Sequence, residues 1–88
     1  MHLEIYFANQ CPYCVETLAI AERARSITGL KVTVIDLALP GQSAPPHVVA
    51  VPTYVLDGRV VSLGNPAREA FLASLRTQLQ QQVKEEGV

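Results

Sequence analysis

The chain has 88 residues, a formal net charge of −1 and 49% hydrophobic residues. That length suits one domain, spanning residues 1–88, with a modest core. The near-neutral charge gives no electrostatic reason to expect nucleic acid or an anionic membrane as partner.

The first predicted element is a buried strand at Leu3-Glu4-Ile5-Tyr6-Phe7, an apolar run with two aromatics and an isoleucine. Ala8-Asn9-Gln10 forms the loop after it. A helix is expected from about Pro12 to Thr28, with Pro12 at the first helical position, where a missing N–H costs nothing. Tyr13, Thr17, Ile20, Ala24 and Ile27 recur at helical spacing and predict its buried face. Glu16 near the start meets the helix dipole favourably, and Gly29 suits the left-handed position that ends a helix.

Lys31-Val32-Thr33-Val34-Ile35-Asp36 is a β-branched run and the second strand. Strand, helix and strand in that order make a βαβ unit with parallel strands and a right-handed crossover. From Leu37 to Ala50, four breakers (Pro40, Gly41, Pro45 and Pro46) leave loop, with room for at most a short helix. Thr53–Leu56 and Arg59–Leu63 are strands joined by Asp57-Gly58, a tight-turn signal that makes them an antiparallel hairpin. Asn65 is a good N-cap and Pro66 a good first residue for the last helix. Phe71 or Leu72, Leu75, Leu79 and Val83 line its buried face, and the polar tail from Gln80 is expected to fray. No apolar run approaches the roughly 18–20 residues of a membrane-spanning helix. No basic stretch followed by a long apolar segment opens the chain, so the expected location is cytoplasmic.

The chemistry concentrates at Cys11-Pro12-Tyr13-Cys14, the only cysteines in the chain, on the turn from strand to helix. A helix start offers unpaired N–H groups and the positive end of the dipole, both of which stabilise a thiolate. In the cytosol a cysteine pair at this spacing is more often catalytic or metal-binding than a structural staple. A disulfide closing so small a loop also constrains the unfolded chain only weakly.

This order of elements, a βαβ unit followed by ββα with Cys-x-x-Cys opening the first helix, resembles the thioredoxin fold over nearly the whole chain. The implied architecture is α/β, a four-stranded mixed sheet flanked by helices. Cys11-Pro12-Tyr13-Cys14 matches the tetrapeptide typical of glutaredoxins, and Val51-Pro52-Thr53 resembles the cis-proline loop of the same superfamily. Other positions depart from one branch or the other. Ala8 stands where glutaredoxins often carry a basic residue. Leu63-Gly64-Asn65-Pro66 lacks the acidic residue that grips glutathione. Gln10 and Ile5 replace the tryptophan and buried aspartate of thioredoxins.

The resemblance implies a thiol–disulfide oxidoreductase. Cys11, at the N-cap, is the expected nucleophile, and Cys14, at the third helical position, the resolving thiol. Pro12 fixes the turn, and Tyr13, Val51, Pro52 and Thr53 are the expected substrate-binding residues. The backbone of Val51 would pair with an extended substrate segment, and Pro52 would hinder metal ions from taking the thiolates. The substrate is a disulfide-containing protein or a glutathione mixed disulfide. The reductant is glutathione as co-substrate or a thioredoxin-reductase-type flavoenzyme. No bound cofactor, no metal and a monomeric state are expected.

Two rival functions fit the same residues. An iron–sulfur or metal carrier needs four thiolate-class ligands, so one chain's pair would need a partner chain or glutathione. A zinc site from Cys11, Cys14, His2 and His47 lacks the paired histidine spacing of zinc modules. A non-catalytic module would keep the Val51–Pro52 edge to hold a peptide but would need neither cysteine. His47, before Pro52, is read first as a solvated residue and second as a proton carrier. His2 reads as a surface residue.

Overall fold

A computed structural model describes residues 1–8 and 12–86, with side chains described through Gln82. The elements in chain order are β1 (His2–Phe7), α1 (Cys14–Arg25), β2 (Lys31–Asp36), β3 (Thr53–Leu56), β4 (Arg59–Leu63) and α2 (Arg68–Glu86). They form one four-stranded mixed sheet in the order β2-β1-β3-β4, flanked by the two helices. β1 runs parallel to β2, with Leu3 opposite Val32 and Ile5 opposite Val34. It runs antiparallel to β3, with Ile5 opposite Tyr54 and Tyr6 opposite Thr53.

Strand alternation puts Leu3, Ile5, Val32, Val34, Tyr54 and Leu56 on one face. There they meet Ile20, Ala21 and Ala24 of α1 and Leu72 and Leu75 of α2. Phe71 adds an edge-on ring contact to Tyr54, with centroids 5.4 Å apart and planes at 77°. β3, between two neighbours, is buried along its whole length, whereas the edge strand β4 leaves Val60, Val61 and Leu63 exposed. The β3–β4 hairpin turns through Asp57 and Gly58, both at positive φ (49° and 85°), as a two-residue hairpin loop requires.

The helix ends differ from the pattern-based expectation, each for a local reason. α1 starts at Cys14 rather than Pro12, with Tyr13 at the N-cap position. Pro12 belongs to the preceding turn, which its fixed φ suits as well as it suits a helix. Tyr13, expected on the buried face, is 62% exposed, and Cys14 takes its place among the buried residues. At the other end α1 stops at Arg25, not Thr28. Ser26 Oγ donates to the Arg23 carbonyl at 2.8 Å, and the Ser26 and Ile27 amides bond three residues back, tightening the last turn. Gly29 still takes a left-handed φ of 88°, but in the turn into β2 rather than as the helix terminator.

α2 begins at Arg68, with its first backbone bond from Phe71 to Ala67, so Asn65 and Pro66 precede the helix. The helix runs on through Glu86, in a segment of good helix formers. Of the residues expected on its buried face, Leu72 and Leu75 are buried and Phe71 and Leu79 partly so; the Val83 side chain lies outside those described. Residues 37–50 carry turns and no helix. His2 is half-buried rather than a bare surface residue. Its Nε2 lies 2.8 Å from Thr33 Oγ1, and its backbone exchanges bonds with Asp57.

Candidate active site

The sheet register brings the chemistry-bearing segments to one end. β1 and β3 are antiparallel and Tyr6 faces Thr53, so the chain leaves β1 where it enters β3 from Pro52. Thr53 faces Leu63 across β3–β4, so the segment after β4 opens at the same end. Ala8, Tyr13, Pro52 and Asn65 therefore share one edge of the molecule, although they are far apart in sequence.

Cys14 is buried, 8% exposed, in the first turn of α1. Its thiol donates to the Ala8 carbonyl at 2.8 Å, tying the helix start back to the end of β1. The position expected for Cys14 was the third of the helix; it is the first. Cys11, the expected nucleophile and N-cap, lies outside the described residues. Pro12 and Tyr13 are exposed beside Cys14.

Across the site the Val51–Pro52 peptide bond is cis. Pro52 is buried, and its carbonyl accepts from the Gly64 amide at 2.7 Å. Thr53 is fully buried, with its hydroxyl donated to the Ala50 carbonyl, so its side chain holds the loop and is not presented at the surface. Val51 remains 37% exposed. Among the described residues Tyr13, Val49, Val51 and Leu63 are exposed apolar side chains in the segments around this end. His47 is exposed in the turn at 46–47.

Three polar residues that the sequence reading did not connect complete the site. Asn65 Nδ2 donates to the Tyr13 carbonyl at 3.0 Å, and Asn65 Oδ1 accepts from Tyr54 Oη at 2.7 Å. Thr17 Oγ1 lies 2.7 Å from Asn65 Oδ1 and 3.1 Å from the Tyr13 carbonyl, so its single proton serves one of them at a time. Burial pushes the Tyr54 phenol up to about 12; the Thr17 hydroxyl pulls the other way and the Glu16 charge adds a smaller upward push. Tyr54 is therefore a neutral donor at physiological pH. The hint in the sequence was the polar threonine at a core position of α1, facing a tyrosine in a fully buried strand. One position before Thr17, Glu16 pairs with Arg68 through both carboxylate oxygens. That guanidinium holds the Glu16 carboxyl below its usual range. A second pair, Arg23–Glu69 at 3.0 Å, continues the seam between the helices.

Among the described residues no three His, Cys, Asp or Glu side chains cluster to hold a metal ion, and no helix is long and apolar enough to cross a membrane. The profile of the thioredoxin domain family matches residues 1–76. The chain belongs to the thioredoxin domain family. It is similar to a protein named "Probable Thioredoxin" from Methanothermobacter thermautotrophicus, 25% identical over 83 residues that cover 91% of this chain and 98% of the relative. The likeness to its counterpart in Methanothermobacter marburgensis is 26% over 81 residues, 89% and 95% of the two chains. A protein named "Thioredoxin" from Methanocaldococcus jannaschii is 26% identical over 80 residues, 88% and 94%. Membership in the thioredoxin domain family supports a thiol redox role in general. The four-stranded mixed sheet flanked by two helices agrees with that membership.

Proposed function

We propose that this chain is a thiol–disulfide oxidoreductase that reduces disulfides in proteins, with Cys11 as nucleophile and Cys14 as resolving thiol. The Cys11 thiolate attacks one sulfur of the substrate disulfide. A mixed disulfide forms, and the other substrate sulfur leaves as a thiolate that takes up a proton. Cys14 then gives up its proton and attacks the Cys11 sulfur. The Cys11–Cys14 disulfide forms, and the second substrate sulfur leaves as a thiol. Counting the proton that the Cys11 thiol releases to solvent on becoming a thiolate, the substrate has gained two electrons and two protons, and the cysteine pair has lost them.

The observation that carries this reading is Cys14 itself, buried at the start of α1 with its S–H donated to the Ala8 carbonyl, at the sheet end that holds cis Pro52. A sulfur held as an S–H donor inside the fold is suited to act second, after a substrate is already linked to the chain. The exposed apolar side chains of Tyr13, Val51 and Leu63 suit a segment of unfolded or extended protein, which could lie along Val51 as an added strand. The names of the relatives support the same class of reaction.

The test is trapping. Cys14→Ser leaves the first attack intact and removes the second, so a mixed disulfide with a protein substrate should accumulate; Cys11→Ser should trap nothing. Turnover with glutathione and its reductase against turnover with a thioredoxin reductase then names the reductant. A mixed glutathione disulfide serves as the alternative substrate in the same assay. Trapping through Cys14 in the Cys11→Ser variant would reverse the assigned roles. Anaerobically purified protein carrying iron or zinc in stoichiometric amount would favour the carrier instead.

A further inference from the structure

The peptide bond between Tyr13 and Cys14 is held from outside its own helix. The Tyr13 carbonyl accepts from the Thr17 amide within α1, at 3.1 Å, and from Asn65 Nδ2 on the segment between β4 and α2, at 3.0 Å. A carbonyl only accepts, so the Asn65 atom facing it must be the amide nitrogen. That fixes Oδ1 on the other side, toward the hydroxyls of Tyr54 and Thr17. Tyr54 stands on the fully buried strand β3 and cannot move without the sheet. Asn65 is thus set by the sheet from behind and grips the helix start in front. Among the described residues no buried side-chain nitrogen or oxygen lacks a partner.

We propose that Asn65 is a positioning residue of the cysteine couple, orienting the Tyr13–Cys14 peptide plane and thereby the Cys14 amide that supports thiolate at the helix start. The inference rests on Cys11 and Cys14 being the redox pair. A trans peptide is rigid, and its C=O and N–H point in opposite directions. A carbonyl gripped along the helix by Thr17 and Asn65 leaves the Cys14 N–H aimed back past the helix start, where the chain enters through Pro12. Backbone N–H groups at that place favour a thiolate. Without Asn65 the plane can rock about the Tyr13 ψ, and the donor is less well aimed. The reduced, thiolate form then loses support relative to the disulfide.

The experiment compares the wild type with Asn65→Ala and with Leu72→Ala, a core variant that makes none of the latch's hydrogen bonds. Each protein is equilibrated against glutathione redox buffers, and the pH dependence of Cys11 alkylation is followed. Asn65→Ala should favour the disulfide by about threefold to tenfold, equivalent to about 15–30 mV more reducing. Its alkylation profile should move toward higher pH. Leu72→Ala should lose more stability yet keep the wild-type equilibrium. If Asn65→Ala does not fold, Asn65→Ser, too short to reach the Tyr13 carbonyl, takes its place. A folded Asn65 variant with the wild-type equilibrium and pH profile would overturn the inference. A wild type that forms no Cys11–Cys14 disulfide at any buffer poise would overturn the underlying redox reading instead.

Discussion

Tyr54→Phe separates the phenol's ionisation from every other titrating group, because all the others cancel between wild type and variant. The phenol is buried, and its ionisation moves from an ordinary 10.0 to about 12 on folding. A raised tyrosine value means that the folded state binds the proton more tightly than the unfolded one. Stability is therefore full below pH 10 and falls as pH rises toward 12. A hundredfold difference in ionisation is about 3 kcal/mol when complete, and about 2 kcal/mol of it has been lost by pH 11.5. At neutral pH the variant lacks one hydrogen bond to Asn65 Oδ1, an acceptor that the Thr17 hydroxyl still reaches at 2.7 Å. The net cost of such a bond is about 1 kcal/mol. The wild type should therefore be the more stable protein at pH 7, by about that amount, and the less stable at pH 11.5, by a similar amount. Urea unfolding at a series of pH values measures the difference directly. A difference that stays constant from pH 7 to 11.5 would mean that the hydroxyl is not buried in this cluster.

Two further predictions test the frame around the site. Leu72 is fully buried against the sheet, so Leu72→Ala should cost about 2–5 kcal/mol in urea unfolding at unchanged slope; a loss under about 1 kcal/mol would place Leu72 outside the core. Arg68→Gln should let the Glu16 carboxyl, now held below its ordinary value, titrate upward toward it, as read by carbon-detected NMR. Because the folded value is depressed, the pair's contribution is present above the ordinary carboxylate range and lost as pH falls through the folded value. The variant should thus show a shallower acid limb, and an unchanged Glu16 titration would sink the assignment.

The strands were legible because each is a β-branched or aromatic run, and those after α1 lie near glycine or proline breakers. Lys31–Asp36, Thr53–Leu56 and Arg59–Leu63 appear with the bounds their composition suggests. Helix ends were not legible from the same signals. Asn65-Pro66 has the local preferences of a helix start, yet Asn65 is drawn away by the Tyr13 carbonyl and by Tyr54, and α2 opens three residues later. Ser26 shortens α1 by competing for a carbonyl that a longer helix would have used. In both places a side chain that bonds to the backbone decides the boundary, and its partner is fixed by tertiary contact or local geometry rather than by residue type. Cys14 and Pro52 were visible as motif residues. The acceptor for Cys14 at Ala8 and the latch through Thr17, Tyr54 and Asn65 were not, since they join segments up to 52 residues apart.

The two halves of the chain contribute unlike things to one site. The βαβ half supplies the cysteine turn and the helix behind it; the ββα half supplies cis Pro52, the buried tyrosine and the segment from Asn65 to Arg68. The β1–β3 pairing brings these halves together, and α1 packs on the sheet through Ile20, Ala21 and Ala24. Among the described residues the start of α1 is held by Cys14 to Ala8 from its own half, and by Asn65 to Tyr13 and Thr17 and Arg68 to Glu16 from the other. All of these but one join neutral groups, and the exception, Arg68 to Glu16, is a partly exposed ion pair that salt would weaken. High salt should therefore loosen the α1–α2 seam before it disturbs the cysteine turn, because the bonds that aim the Tyr13–Cys14 peptide carry no net charge.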